Sequence, residues 1–154
     1  MTVKRHSTGK AKAIGLPEED AFLELLRTTD ILSRALVQVL KVEDLSPTQY
    51  NVLRILRGAR QGLPCGEIAG RMITRDPDVT RLLDRLEKRG LISRRRETRD
   101  RRMVLTRITP QGLEALSRLD PPVRQGHIRQ LGHLGRKRLK DLTELLHLCR
   151  REVL

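Results

Sequence analysis

Only two aromatic rings, Phe22 and Tyr50, occur in 154 residues, and there is no Trp. A chain of this length buries one ordinary core, and here that core must be built from Leu, Ile and Val. Strand-rich folds lean on aromatic and β-branched side chains, so the scarcity of rings favours helices. With 38% apolar and 33% charged residues, the chain has enough apolar material to fold rather than stay disordered.

Helical spacing is clear from Pro17 onward. Phe22, Leu25, Leu26, Thr29, Leu32, Leu36 and Val39 recur at intervals of three and four, and Ile31, Ala35 and Leu40 widen the stripe. That stripe is broader than a single-sided surface helix requires. Leu45-Ser46-Pro47-Thr48-Gln49 is a helix start: Ser46 caps, Pro47 suits the first helical position, and Gln49 completes a capping box. Val52, Leu53, Ile55 and Leu56 give that helix its inner face, and Gly58 and Gly62 end it. Leu63-Pro64 is short and extended, and Gly66 to Ile73 reads as a brief helix with Ile68, Ala69 and Met72 inward.

Asp76-Pro77 is expected to open the next helix, with Asp76 as the acidic cap. Val79, Leu82, Leu83 and Leu86 face inward there, and Gly90 stops it. Strands are expected from Leu91 and over Met103–Ile108, with a polar hairpin between them. Thr109-Pro110 starts one more helix, which Asp120-Pro121-Pro122 is expected to break. Leu139, Leu142, Leu146, Cys149 and Val153 then fall at the three-and-four spacing of a helix packed lengthwise on another.

Thirty-two Lys and Arg against nineteen Asp and Glu give a formal charge of +13. A field of that sign gathers polyanions, either nucleic acid or an anionic membrane. No apolar run approaches the ~20 residues of a membrane span, and Met1–Lys12 lacks the apolar stretch of a secretory signal. Cys65 and Cys149 stand far apart outside any Cys-x-x-Cys pattern, so neither zinc site nor disulfide framework is indicated. A reduced, cytoplasmic setting is the expectation.

The distribution of the charge singles out nucleic acid. The middle of the chain reads helix, short extended piece, short helix, helix, strand, basic turn, strand. A helix-turn-helix protein inserts its second helix into the major groove. The helix after Pro77 has an aliphatic inner stripe, with Asp78, Arg81, Arg85 and Lys88 on the other side. Arg81 and Arg85, like charges four apart, cost folding energy that a nearby phosphate or guanine edge would repay. Asp78 is suited either to accept from a cytosine amino group or to orient Arg81 or Arg75. Downstream lie seven arginines: Arg94, Arg95, Arg96, Arg99, Arg101, Arg102 and Arg107. Guanidinium at the tip of a strand-turn-strand projection can enter a narrow minor groove.

In order and spacing, these residues resemble the MarR family. The resemblance rests on Leu45 to Tyr50, Gly66-Glu67-Ile68-Ala69, Val79 to Ile92, Asp100-Arg101-Arg102 and the Leu105-Thr106 to Thr109-Pro110-Gln111-Gly112 junction. It covers about residues 45 to 113. It implies an α+β, mostly α, winged helix-turn-helix fold whose long N- and C-terminal helices intertwine in a homodimer. It further implies a transcriptional regulator on a near-palindromic operator, usually a repressor. Many relatives release DNA when a small phenolic or lipophilic ligand, or an oxidant, acts on them. It makes Asp100 structural in the wing and Arg102 a DNA contact.

The resulting layout is a flexible basic tail over 1–15 and a single domain over 16–154. Within the latter, 45–110 is the DNA-binding lobe, and 16–42 and 111–154 are dimerisation helices. Candidate DNA-binding residues are Arg75, Asp78, Thr80, Arg81 and Arg85 on the reading helix and Arg99, Arg101 and Arg102 on the wing. Ser46, Thr48 and Gln49 at a helix N-terminus add phosphate contacts. Candidate dimer residues are Phe22, Leu25, Leu139, Leu142, Leu146 and Cys149.

Other chemistry is not expected. Glu144 and His147 have a metal-ligand spacing but lack further partners, and His127 and His133 are out of register with them. Cys65 reads as a core or turn cysteine. No nucleophile, base and orienting group come together, and no cofactor motif occurs. Two rival readings of the same fold are a protein-interaction module and a nonspecific architectural DNA binder.

Overall fold

The protein is described by a computed structural model covering residues 15–97 and 102–151. The expected basic tail, the wing residues Arg99, Asp100 and Arg101, and Val153 lie outside the described residues. The chain divides into two units, one ending at Ser33 and the other starting at Arg34.

Helix α1 runs over Pro17–Leu40, with Glu18, Glu19 and Asp20 in its first turn. Acids there face the positive end of the helix dipole. In the first unit its apolar side chains are open, with Phe22 59% and Leu26 53% exposed.

The second unit holds the core. A 3-10 turn at Lys41–Glu43 follows α1, and Asp44 then adopts a left-handed conformation (φ 49°). Helix α2 spans Pro47–Gly58 and begins with the expected capping box: Ser46 Oγ accepts from Gln49 N, and Gln49 Oε1 accepts from Ser46 N. The strand β1, Leu63–Pro64, leads into α3, Cys65–Arg71, and α4 covers Val79–Lys88. Strands β2, Ile92–Arg96, and β3, Val104–Ile108, complete an antiparallel sheet in the order β1-β3-β2. Ile92 faces Ile108 and Arg96 faces Val104. Helix α5 occupies Pro110–Leu131 and, after a second 3-10 turn, α6 occupies Gly135–Arg151. The mostly helical α+β class is as the sequence predicts.

The core is aliphatic, as two rings would require. Leu40, Val52, Leu53, Leu56, Ile68, Leu86, Leu116 and Leu119 are fully buried, and Tyr50 is a nearly buried ring packed among them. Each such Leu or Ile contributes about 1.5–3 kcal/mol on leaving water. Leu82, Leu83 and Leu86 bring α4 onto this core and so fix which of its faces turns outward.

Two expectations need correction. Asp76 does not cap α4. Its carboxylate accepts from Asp78 N at 2.8 Å, a local turn that delays the helix. Asp78 is the cap, accepting from Arg81 N at 3.0 Å, and Pro77 sits in the turn ahead. Nor does Asp120-Pro121-Pro122 break the chain, for α5 runs through both prolines. The two missing N–H groups leave the carbonyls of Ser117 and Arg118 without helical partners, on residues that are exposed to water. Leu119 and Val123, on the inner side, are buried, and Asp120 is held by Arg57 at 2.7 Å. Packing outweighs the local penalty here.

Helix α6 buries none of its residues in the single chain. Leu142, Leu145 and Leu148 are exposed, Leu139 and Leu146 half-buried, and Cys149 exposed. No helix among the described residues is long and apolar enough to cross a membrane.

Candidate nucleic-acid interface

Burial of Leu82, Leu83 and Leu86 leaves Thr80, Arg81, Arg85 and Lys88 exposed on the outer side of α4. Arg75 is exposed just before it. Asp78, besides capping the helix, lies 3.4 Å from Arg81 Nε. Of the two roles open to Asp78 in the sequence, the structure displays the one that orients Arg81.

The hairpin continues past β2 and β3, with Glu97 N donating to Met103 O. Alternation along β2 sends Ile92, Arg94 and Arg96 to one face. Ile92 is buried against the core, which brings Arg94 beside α4. There Arg94 Nε and Nη2 donate to Glu87 Oε2 at 2.9 and 2.7 Å, and Nη2 also donates to Asp84 Oδ1. Glu87 Oε1 accepts from the Arg94 backbone N–H. These hydrogen bonds, Glu87's first, raise the Arg94 pKa above its ordinary value. The side chain of Arg94 is only 25% exposed. Of the arginines counted toward the wing, this one is therefore an internal tie. Arg95, Arg96, Arg102 and Arg107 are exposed.

Also at the C-terminal half of α4, the N-terminus of α2 forms one wall of a cleft of about 520 Å³. Ser46 and Gln49 line it from the start of α2, and Arg85, Lys88 and Arg89 from the end of α4. Ser46 Oγ and Thr48 Oγ1 lie 2.9 Å apart. Cations and the donor end of a helix thus share one concavity, an arrangement that suits an anionic oxygen.

A second set of charges secures this geometry and was not visible in the sequence. Arg89, just past α4, donates to the carbonyls of Asp44 and Glu43 at 2.6 and 2.7 Å. Arg118 on α5 donates to both carboxylate oxygens of Glu43 at 2.6 and 3.0 Å. The Arg118 hydrogen bond holds the Glu43 carboxyl below its ordinary pKa. These partners are 45 to 75 positions apart in the chain, beyond the reach of any local pattern. Among the described residues no cluster of three or more His, Cys, Asp or Glu could hold a metal ion.

Comparison with known proteins agrees with this geometry. The MarR family model matches residues 45–104, which span α2 to the start of β3. A MarR transcription factor from Planctomyces limnophilus is 41% identical, with 89% of this chain and 99% of that one covered and a TM-score of 0.66. The transcriptional repressor CouR, solved bound to a 23-mer DNA duplex, is 29% identical over 88% of this chain and 92% of its own, with a TM-score of 0.71. The transcriptional repressor MdtR of Bacillus subtilis is 34% identical over 77 residues, 50% of this chain and 49% of the relative. The chain spans about half the length of the Bacillus subtilis regulators YkoM and MdtR that it matches. With the winged helix-turn-helix built as above, the chain belongs to the MarR family of DNA-binding transcriptional regulators.

Proposed function

We propose that this chain is a repressor that binds a near-palindromic operator as a homodimer. The observation that carries this reading is the outer face of α4, where Arg81, Arg85 and Lys88 are exposed beside the helix-terminus cleft. Arg75, Asp78, Thr80, Arg81 and Arg85 read the major groove or its phosphates. Ser46, Thr48 and Gln49 take up phosphate oxygens at the start of α2. Arg99, Arg101 and Arg102 engage backbone and minor groove from the wing, which Asp100 holds in shape. Two reading helices about 34 Å apart would let a small lobe sample two half-sites.

The dimer forms through Phe22, Leu25, Leu139, Leu142, Leu146 and Cys149, on the helices of 16–42 and 111–154. Apolar side chains left open on α1 and α6 support this, because such faces on a lone chain mark an interaction surface. A small-molecule effector would enter the cleft of about 440 Å³ between α2 and α5, beside Tyr50, Arg54, Arg124 and His127. Arg54 already covers the Tyr50 ring at 5.8 Å, so stacking of an aromatic effector there would first displace it.

The test is fluorescence anisotropy with the DNA upstream of the protein's own gene, against excess unrelated duplex. A repressor of this kind survives the competitor. Arg81→Ala flattens the preference among operator variants, whereas Arg101→Ala weakens all of them alike and lowers the salt slope by about 1. Equal loss to any competitor, or uniform weakening by both changes, supports an architectural binder. No binding to any duplex supports a protein-interaction module.

A further inference from the structure

Arg94 stands out because it is the wing-side arginine that faces inward, and both of its partners belong to the reading helix. Asp84 and Glu87 are the acids within α4. Asp84 follows Arg81 by three positions and precedes Lys88 by four, both spacings at which helix side chains meet. An acid four residues ahead of Lys88 is moreover the favourable orientation for a pair. Left to themselves, these carboxylates would engage the cations meant for DNA and would repel phosphate. In the folded chain neither carboxylate pairs with these cations. Both point to Arg94, and among the described residues no ion pair ties Arg85 or Lys88.

We infer that Arg94 is a positioning residue for DNA binding: it holds the Asp84 and Glu87 carboxylates against the hairpin, so that Arg85 and Lys88 stay available to phosphate and Arg81 is paired, among the described residues, with Asp78 alone. This rests on the DNA-binding reading of α4 given above. A guanidinium is needed for the task, because its planar fork serves two carboxylates at once, whereas an ammonium is a single point charge. The tie also joins β2 to α4, through the backbone N–H of Arg94 as well as its side chain.

The experiment measures operator affinity and its salt dependence for the wild type and four variants, each first checked for folding by its thermal melt. Arg94→Lys keeps one charge, should fold, and should bind about tenfold more weakly, with a salt slope smaller by about 1 because one cation is diverted. Adding Asp84→Asn to Arg94→Lys leaves one cation for one acid and should recover affinity to within about threefold of the wild type. Arg94→Ala should lose more than Arg94→Lys. Combined with Asp84→Asn and Glu87→Gln, it should recover, since removing both sides of a partly buried pair leaves no charge without its partner. Should the variants in which the carboxylates are neutralised stay as weak as their parents, Arg94 acts by another route, such as touching DNA itself. Wild-type affinity in Arg94→Lys would equally overturn the inference. Wild-type protein that binds no duplex would instead refute the DNA-binding reading on which it stands.

Discussion

Replacing Gly112 with alanine sets two effects of opposite sign against each other. Gly112 lies in the first turn of α5, where alanine is favoured over glycine by about 1 kcal/mol in a helix interior. Yet a Cβ there would stand 2.3 Å from the Leu91 carbonyl oxygen and 2.8 Å from Ile108 Cγ1. The carbonyl has little room to retreat. It accepts from Thr109 N at 3.1 Å, while Thr109 Oγ1 accepts from Gly112 N at 3.1 Å and donates to Gly90 O at 2.6 Å. Overpacking of this kind costs about 1–3 kcal/mol, and loosening one hydrogen bond costs about 1 kcal/mol more. The clash should therefore win by about 1–3 kcal/mol, a fall in Tm of roughly 2–12 °C for a chain of this size. Gly70 is the control: it is exposed in α3 with nothing within 4 Å of the position a Cβ would take, so Gly70→Ala should hold or raise the melt. Both are followed by circular dichroism at one fixed protein concentration, because the proposed dimer would make Tm depend on concentration. A Gly112→Ala protein that melts at or above the wild type would show that the α4–α5 junction is not packed as described.

Three other outcomes follow from the geometry. Leu86→Ala, at a fully buried site on the inner side of α4, should cost about 2–5 kcal/mol in urea unfolding and weaken DNA binding only through the fraction unfolded. Glu43, whose pKa is held below its ordinary 4.5 by Arg118, contributes stability that is present above that value and lost as pH falls through the lower folded one. The stability gap between wild type and Glu43→Gln should accordingly be seen at pH 7 and close on acidification below about pH 4.5; a gap that stays constant would contradict the ion pair. Glu replacing the exposed Leu142 and Leu145 of α6 should lower the mass seen by sedimentation at micromolar concentration, and an unchanged dimer would move the interface elsewhere.

The elements of the DNA-binding lobe were largely legible because each is punctuated locally. Ser46 with Gln49, Gly90, and Thr109 with Gly112 are capping and turning residues whose effect spans four positions or fewer, so their spacing in the chain is their spacing in space. The exceptions are informative for the same reason. Asp76 and Asp78 are both good caps, and only the competing turn that Asp76 forms with the Asp78 N–H decides between them. Asp120-Pro121-Pro122 carries a strong local stop signal. What overrides it is the burial of Leu119 and Val123 and the reach of Arg57 across to Asp120, none of which the local pattern contains.

Charge is the less legible half of the site, because a count of arginines does not say where each guanidinium points. Arg94 and Arg95 are neighbours of identical chemistry, yet strand alternation places one against α4 and the other in solvent. The signal that separates them is faint but physical: Arg94 stands two residues beyond the buried Ile92, on the same face of the strand, and α4 offers Asp84 and Glu87 three positions apart on one side. A basic residue in phase with a buried strand residue, opposite paired acids on the preceding helix, is a candidate for an internal tie. The exposed arginines of β2, the out-of-phase Arg95 and the in-phase Arg96 at its far end, are the ones left for the nucleic acid. On that rule Arg95→Ala should cost affinity that neutralising Asp84 and Glu87 does not restore, the reverse of the behaviour of Arg94. The two substitutions together thus separate a cation that meets phosphate from one that keeps other cations free to do so.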